Sequence, residues 1–193
     1  MKLAIIDYGA GNIQSLRFAL ERLGVESVLS AKIDEIKSAD KVIFPGVGAA
    51  NAAMEKLQAT GLDTLIPELQ QPVLGICLGM QLMCNTSEEG NTKGLGIFNC
   101  NVMRFPTSVK VPQMGWNTLN NCKGPLFQNI QPKEYMYLVH SYYAPLIEET
   151  IAETTYGEPY STAMQKNNFY GVQFHPEKSS KAGSQILSNF LAL

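Results

Sequence analysis

Only two histidines occur in 193 residues, and none of the four cysteines, at 77, 84, 100 and 122, forms a Cys-x-x-Cys pair. A zinc site is therefore not expected, and neither is any other metal or cofactor. Basic residues are scattered through a chain of net charge −2 and build no stripe, which argues against a nucleic-acid partner. The longest apolar stretch, residues 72–84, is shorter than the roughly 18 residues a membrane span needs. The first residues meet Lys2 and Asp7 too early for a secretory signal, so the free thiols point to the cytoplasm. Gly9-Ala10-Gly11 lacks the third glycine of a dinucleotide-binding loop, and no acidic residue stands at the next strand end. Repeats, low-complexity segments and interdomain linkers are also missing, so a single domain over residues 1–193 is expected.

What is present suits a packed α/β domain. Apolar residues make up 45% of the chain and charged residues 17%, enough for a sizeable core. Residues 2–7 read as a buried strand ended by Gly9 and Gly11. Asn12 is placed to cap a helix in which Ile13, Leu16, Leu20 and Leu23 recur at helical spacing, and Gly24 stops it. Further strands are expected at 25–29, 41–44 and 73–76, with a helix at 49–59 stopped at Gly61. This alternation implies a doubly wound, mostly parallel sheet. After Gly90 the pattern becomes strands joined by turns, at 95–105, 110–119, 135–144, 151–156, 162–165 and 169–174. A helix at 179–191 closes the chain, with Ile186, Leu187, Phe190 and Leu191 on one side.

Two runs carry chemistry. In Gly75-Ile76-Cys77-Leu78-Gly79, a cysteine stands where a strand must turn sharply into a helix. Flanking glycines leave room for a strained nucleophile backbone, as in Gly-x-Ser-x-Gly elbows. The amides of the following helix favour thiolate, and that of Leu78 can donate to an oxyanion. The competing reading is a buried structural cysteine, which is how Cys84, Cys100 and Cys122 are assigned. In Gln173-Phe174-His175-Pro176-Glu177, His175 follows a strand and Glu177 is close enough to hold one of its ring nitrogens. The competing reading is a surface histidine beside a turn proline. His140 is the rival base, with no carboxylate closer in sequence than Glu148. Pro45-Gly46-Val47-Gly48 lies between a strand and a helix, and its peptides can aim an amide at an oxyanion or form an ordinary turn.

Taken together these pieces resemble the class I, triad-type glutamine amidotransferases, and more narrowly the glutaminase subunits of imidazole glycerol phosphate synthases of histidine biosynthesis. The resemblance covers nearly the whole chain. It rests on the runs at 7–12, 45–49, 75–81, 87–90, 110–112, 114–117, 140–143 and 173–179. It implies a flavodoxin-like three-layer α/β sandwich with an added antiparallel strand region. It implies Cys77 as nucleophile, His175 as proton shuttle and Glu177 as its orienting acid. The amides of Val47 and Leu78 would form the oxyanion hole, while Gly46, Gly48, Gln81, Ser141 and Tyr142 would hold glutamine. Asn12, Trp116 and Lys178 match interface positions toward a cyclase subunit of barrel fold that accepts ammonia, in a heterodimer. The family commonly has histidine where this chain has Gln113, a departure that bears on local partner contacts. Subunits of other synthases, such as anthranilate synthase, usually carry histidine in place of Met80 and serine in place of Lys178. A catalytically silent binding subunit and a thiol hydrolase of related fold are the remaining alternatives.

Overall fold

A computed structural model describes residues 1–9, 11 and 13–193. Strands β1 (Leu3–Ile6), β2 (Ser27–Ser30), β3 (Lys41–Phe44) and β4 (Val73–Ile76) lie side by side and parallel. Every residue of β1, β3 and β4 is buried, as expected of apolar runs covered on both faces. The strands of the second half are β5 (Cys84–Ser87), β6 (Thr92–Lys93), β7 (Phe98–Arg104), β8 (Gln113–Thr118) and β9 (Tyr135–His140). They continue with β10 (Tyr142–Tyr143), β11 (Thr150–Tyr156), β12 (Glu158–Lys166) and β13 (Phe169–Val172). The main sheet has seven strands in the order β11-β12-β13-β4-β3-β1-β2. From β2 to β13 the pairing is parallel, in the order of a flavodoxin-like sheet, and β12 and β11 extend it antiparallel. A four-stranded sheet, β10-β7-β5-β6, and the β8–β9 hairpin stand apart from it.

Helices cover both faces. Helices α1 (Ile13–Arg22), α2 (Ile33–Lys37), α3 (Ala50–Thr60), α4 (Leu62–Leu65), α5 (Leu78–Leu82) and α6 (Ser180–Ala192) follow the chain. Leu16 and Leu20 of α1 pack with Ile186, Leu187 and Phe190 of α6 against Leu3, Ile5, Ile43 and Leu74. On the other face Met54, Leu57, Leu62 and Leu65 cover Ala4, Ile6, Val42 and Phe44. The result is the expected three-layer sandwich. Leu191, expected on the buried side of α6, is only partly buried. The expected cap of α1, Asn12, lies outside the described residues. Among the described residues no helix is long and apolar enough to cross a membrane.

The start of α6 fixes the turn that precedes it. The Ser179 hydroxyl donates to the His175 carbonyl at 2.7 Å and accepts from the Tyr137 amide at 2.9 Å. It thereby ties β9 to the segment before the helix. Gly183 sits so close beneath this segment that a Cβ there would overlap the Pro176 carbonyl oxygen. Gly183→Ala is expected to cost about 2–3 kcal/mol by overpacking, or roughly 5–10 °C in Tm. Thermal unfolding reads this directly, and an unchanged Tm would show that the segment yields freely.

Candidate active site

The site begins with sheet register. Val172 of β13 lies beside Ile76 of β4, so both chains leave the carboxyl edge of the sheet together. The Cys77 amide still donates to the Val172 carbonyl at 2.8 Å, and then the backbone breaks to φ 54, ψ −110. That left-handed conformation is rare for a residue with a side chain and marks a strained elbow. The elbow is accommodated by Gly79, where a Cβ would run into the Phe44 carbonyl at the end of β3. Helix α5 has only five residues, shorter than a dipole argument wants. The helix dipole expected to favour thiolate is therefore weak here.

His175 follows β13 at the entrance of a 3-10 turn, Pro176–Lys178, and its amide donates to the Tyr137 carbonyl at 2.9 Å. Its Nδ1 and Glu177 Oε1 are 2.8 Å apart, and both side chains are at most 5% exposed. The other ring nitrogen is left for Cys77. Burial alone would lower the His175 pKa. Hydrogen bonds to Cys77 and Glu177, with the charges of both, outweigh burial and raise it to about 10. His175 therefore holds a proton at neutral pH, where ordinary histidine has mostly lost it. The rival, His140, is different. Burial, with His175 nearby, pushes it down to about 4, although its ring Nδ1 bonds the Tyr142 carbonyl at 2.7 Å. It is a neutral, structural imidazole. Burial and then the Cys77 charge push the Tyr8 phenol up, so it stays a donor, at 2.9 Å from the Pro45 carbonyl.

A cavity of about 350 Å³ opens beside the sulfur. Val47, Gly48, Cys77, Leu78, Gln81, Ser141 and Tyr142 line it, so seven of the residues singled out in the sequence share one wall. Gly46 does not line it. A Cβ on Gly46 would come 2.7 Å from the Gly79 amide and 2.8 Å from the Tyr8 hydroxyl, so Gly46 is a spacer behind the elbow. Glu89, Pro112 and Val139 also line the cavity and were not singled out as ligand-binding. Glu89 brings a carboxylate to the wall, and its Oε2 accepts from the Ala50 amide at 2.9 Å. Its only sequence signal was its place in the Ser87–Gly90 run. Gln113 faces inward: it is buried, and its Oε1 accepts from the Tyr160 hydroxyl at 2.9 Å. The departure at this position therefore concerns the packing around His140 rather than partner contacts.

Beyond the cavity, Trp116 is 53% exposed and meets Tyr137 edge-on, with ring centroids 6.1 Å apart. Lys178 Nζ lies 5.9 Å from the centre of the same Tyr137 ring. Two of the expected interface residues thus share one surface, next to the turn that carries Glu177. The third, Asn12, falls outside the described residues. The remaining cysteines are placed as packing residues. Cys84 and Cys100 are buried with sulfurs 3.5 Å apart, and burial pushes the Cys122 thiol up to about 11.

A cysteine, an imidazolium and a carboxylate beside a cavity can attack an amide and form an acyl-enzyme. Comparison with known proteins agrees with that chemistry. The family model described as "Glutamine amidotransferase class-I" matches residues 4–193. The chain is 56% identical over 196 residues to the imidazole glycerol phosphate synthase subunit HisH of Bacteroides fragilis (strain YCH46), covering 100% of both chains. It is 48% identical to the protein of the same name from Haemophilus influenzae (strain Rd), covering 99% of this chain and 97% of the relative. Among solved structures, a putative GMP synthase component from Thermoplasma acidophilum superposes with TM-score 0.77 at 20% identity, covering 100% of this chain and 92% of that one. Another, described as a glutamine amidotransferase, gives TM-score 0.76 at 17% identity, covering 98% and 97%. At these identities the structural likeness concerns the fold.

Proposed function

Because the chain belongs to the class I glutamine amidotransferase family, we propose that its cavity is a glutaminase site whose ammonia goes to a docked cyclase subunit. The chain itself is the glutamine-hydrolysing subunit of an imidazole glycerol phosphate synthase. The observation that carries the site assignment is the strained Cys77 facing a His175 that Glu177 holds at 2.8 Å. In this reading the Cys77 sulfur attacks the side-chain carbonyl carbon of glutamine. The amides of Val47 and Leu78 receive the oxyanion. His175 gives its proton to the departing ammonia, leaving a thioester on Cys77. Water, deprotonated by His175, then releases glutamate.

Gly48, Gln81, Ser141 and Tyr142 fit the polar ends of glutamine, since they line the cavity beside the sulfur. Glu89 is the carboxylate on that wall, and His140 beside it is neutral. We assign Glu89 to the α-ammonium group. Glu89→Gln is expected to raise KM about tenfold with kcat little changed, because the contact is made equally before and during the reaction. Steady-state kinetics with glutamine test this, and a fall in kcat at constant KM would remove Glu89 from substrate binding.

Ammonia released to water at neutral pH becomes ammonium, which is no nucleophile, so private transfer to a partner is the useful arrangement. A barrel-fold cyclase subunit, docked over Trp116 and Lys178 in a heterodimer, would accept it to make imidazole glycerol phosphate and the aminoimidazole carboxamide ribonucleotide. The enzyme would act in the cytoplasm. Glutamine hydrolysis measured with and without the cyclase subunit tests the whole reading. Glutamate production that rises with the partner supports it. No hydrolysis under either condition overturns it.

A further inference from the structure

Gln173 is fully buried and touches the sulfur, yet it does not line the cavity and has no part in the chemistry described so far. Its placement follows from the sheet: Val172 and Ile76 are paired, so the next residues on each chain, Gln173 and Cys77, emerge as neighbours. Gln173 Nε2 donates to Cys77 Sγ at 3.6 Å, and Gln173 Oε1 accepts from Gln81 Nε2 at 2.8 Å. Gln81 Nε2 donates a second bond, also 2.8 Å, to the Tyr142 carbonyl. A backbone carbonyl only accepts, so it dictates that the Gln81 NH2 group faces it. The same NH2 reaches Gln173, which must then present oxygen to Gln81 and NH2 to sulfur. The orientation of both amides is thus imposed by Tyr142.

An N–H aimed at sulfur favours the anion, because a hydrogen bond to a charged acceptor is about twice as strong as one between neutral groups. The ionisable groups around this sulfur come from several elements. His175 stands on the turn after β13 with Glu177 behind it, Tyr8 follows β1, Glu89 and His140 stand on the cavity wall, and Tyr8 remains protonated. Of these neighbours, Gln173 brings an N–H group to the sulfur at 3.6 Å, and His175 is coupled to the same sulfur through its raised pKa.

We propose that Gln173 stabilises the Cys77 thiolate through its side-chain amide, held in register by the Tyr142–Gln81–Gln173 chain. This deepens the glutaminase reading and rests on Cys77 being its nucleophile. The test uses the full-length chain and iodoacetamide, with alkylation of Cys77 followed by mass spectrometry. Gln173→Met keeps the length and removes the donor. Its alkylation rate at neutral pH should fall about tenfold, and the pH of half-maximal alkylation should rise. In the complex with the cyclase subunit, kcat for glutamine should fall by a similar factor while KM holds. Gln173→Glu keeps the acceptor for Gln81 but puts a carboxylate beside sulfur, so it should alkylate more slowly still. A folded Gln173→Met variant alkylated at the wild-type rate would overturn the proposal, since a merely structural role lowers Tm and leaves the thiolate alone. If neither variant folds, the wild-type chain decides. A buried glutamine side-chain amide should shift in ¹⁵N NMR with the same pH midpoint as alkylation, and the absence of any such shift overturns the assignment. Alkylation requires neither glutamine nor partner, so its outcome is separate from that of the glutaminase assay.

Discussion

Cys77→Ala is expected to lower glutamine hydrolysis by roughly 10⁴-fold or more, while the cyclase partner keeps full activity with added ammonia. Alanine occupies the elbow at a similar backbone cost, because the φ of 54 strains any residue with a Cβ alike. The fold should therefore survive and the loss should belong to the chemistry. Without sulfur no thioester forms, and the oxyanion amides are left with only water as attacking group. Cys84→Ala is the matched control. Cys84 is buried against Cys100 and Met80 and does not line the cavity. Its loss should cost some packing stability and leave the rate nearly unchanged. Glutamate formation in the complex measures both variants. Substantial turnover by Cys77→Ala would move the nucleophile elsewhere, and a large loss in Cys84→Ala would show that the elbow depends on the Cys84–Cys100 contact.

The residues of this site could be read locally, whereas their meeting could not. Cys77 announced itself through the glycines on either side, and His175 through the carboxylate two residues on. What brings them together is the pairing of Val172 with Ile76, a contact between segments far apart in sequence. Strands β3 and β4 were legible residue for residue because each is a continuous apolar run closed by Pro-Gly or by the elbow itself. Helices α2 and α4 were missed because five and four residues show too little of a helical period. Strand β5, Cys-Asn-Thr-Ser, is too polar to declare itself and owes its existence to pairing with β7. Strand β12 was expected only over 162–165, and a proline such as Pro159 is unusual in a central strand. It begins at Glu158, and β13 pairs with it only from Ala163 onward, so the missing N–H of Pro159 costs no bond on that side. The roles proposed for Glu89 and Gln173 had no signal in residue spacing, and they rest on what these side chains face, the cavity and the Cys77 sulfur.

His175→Ala should be nearly as damaging as Cys77→Ala, and Glu177→Gln roughly 10²-fold milder than His175→Ala. The difference follows from position. In the proposed mechanism His175 moves the proton, whereas Glu177, bonded to Nδ1, holds the ring and stabilises the charge on it. The isosteric glutamine can still accept from Nδ1–H. Its NH2 would then take the place of Glu177 Oε2, a buried atom with no hydrogen-bond partner among the described residues, so a modest loss of stability should accompany the change. The sharper signature lies in pH dependence. In the proposed mechanism acylation needs protonated His175 to convert departing nitrogen into ammonia, so kcat/KM is expected to fall as that proton is lost. With His175 raised to about 10, the wild-type rate should persist through neutral pH and fail only in the alkaline range. Glu177 is one of the groups that raise it. Removing its charge lowers the His175 pKa, and the alkaline fall in kcat/KM must then move to lower pH. The double variant should match His175→Ala alone, because an orienting group has nothing left to orient. An alkaline limb that stays in place in Glu177→Gln, or losses that add in the double variant, would mean that Glu177 acts on something other than His175.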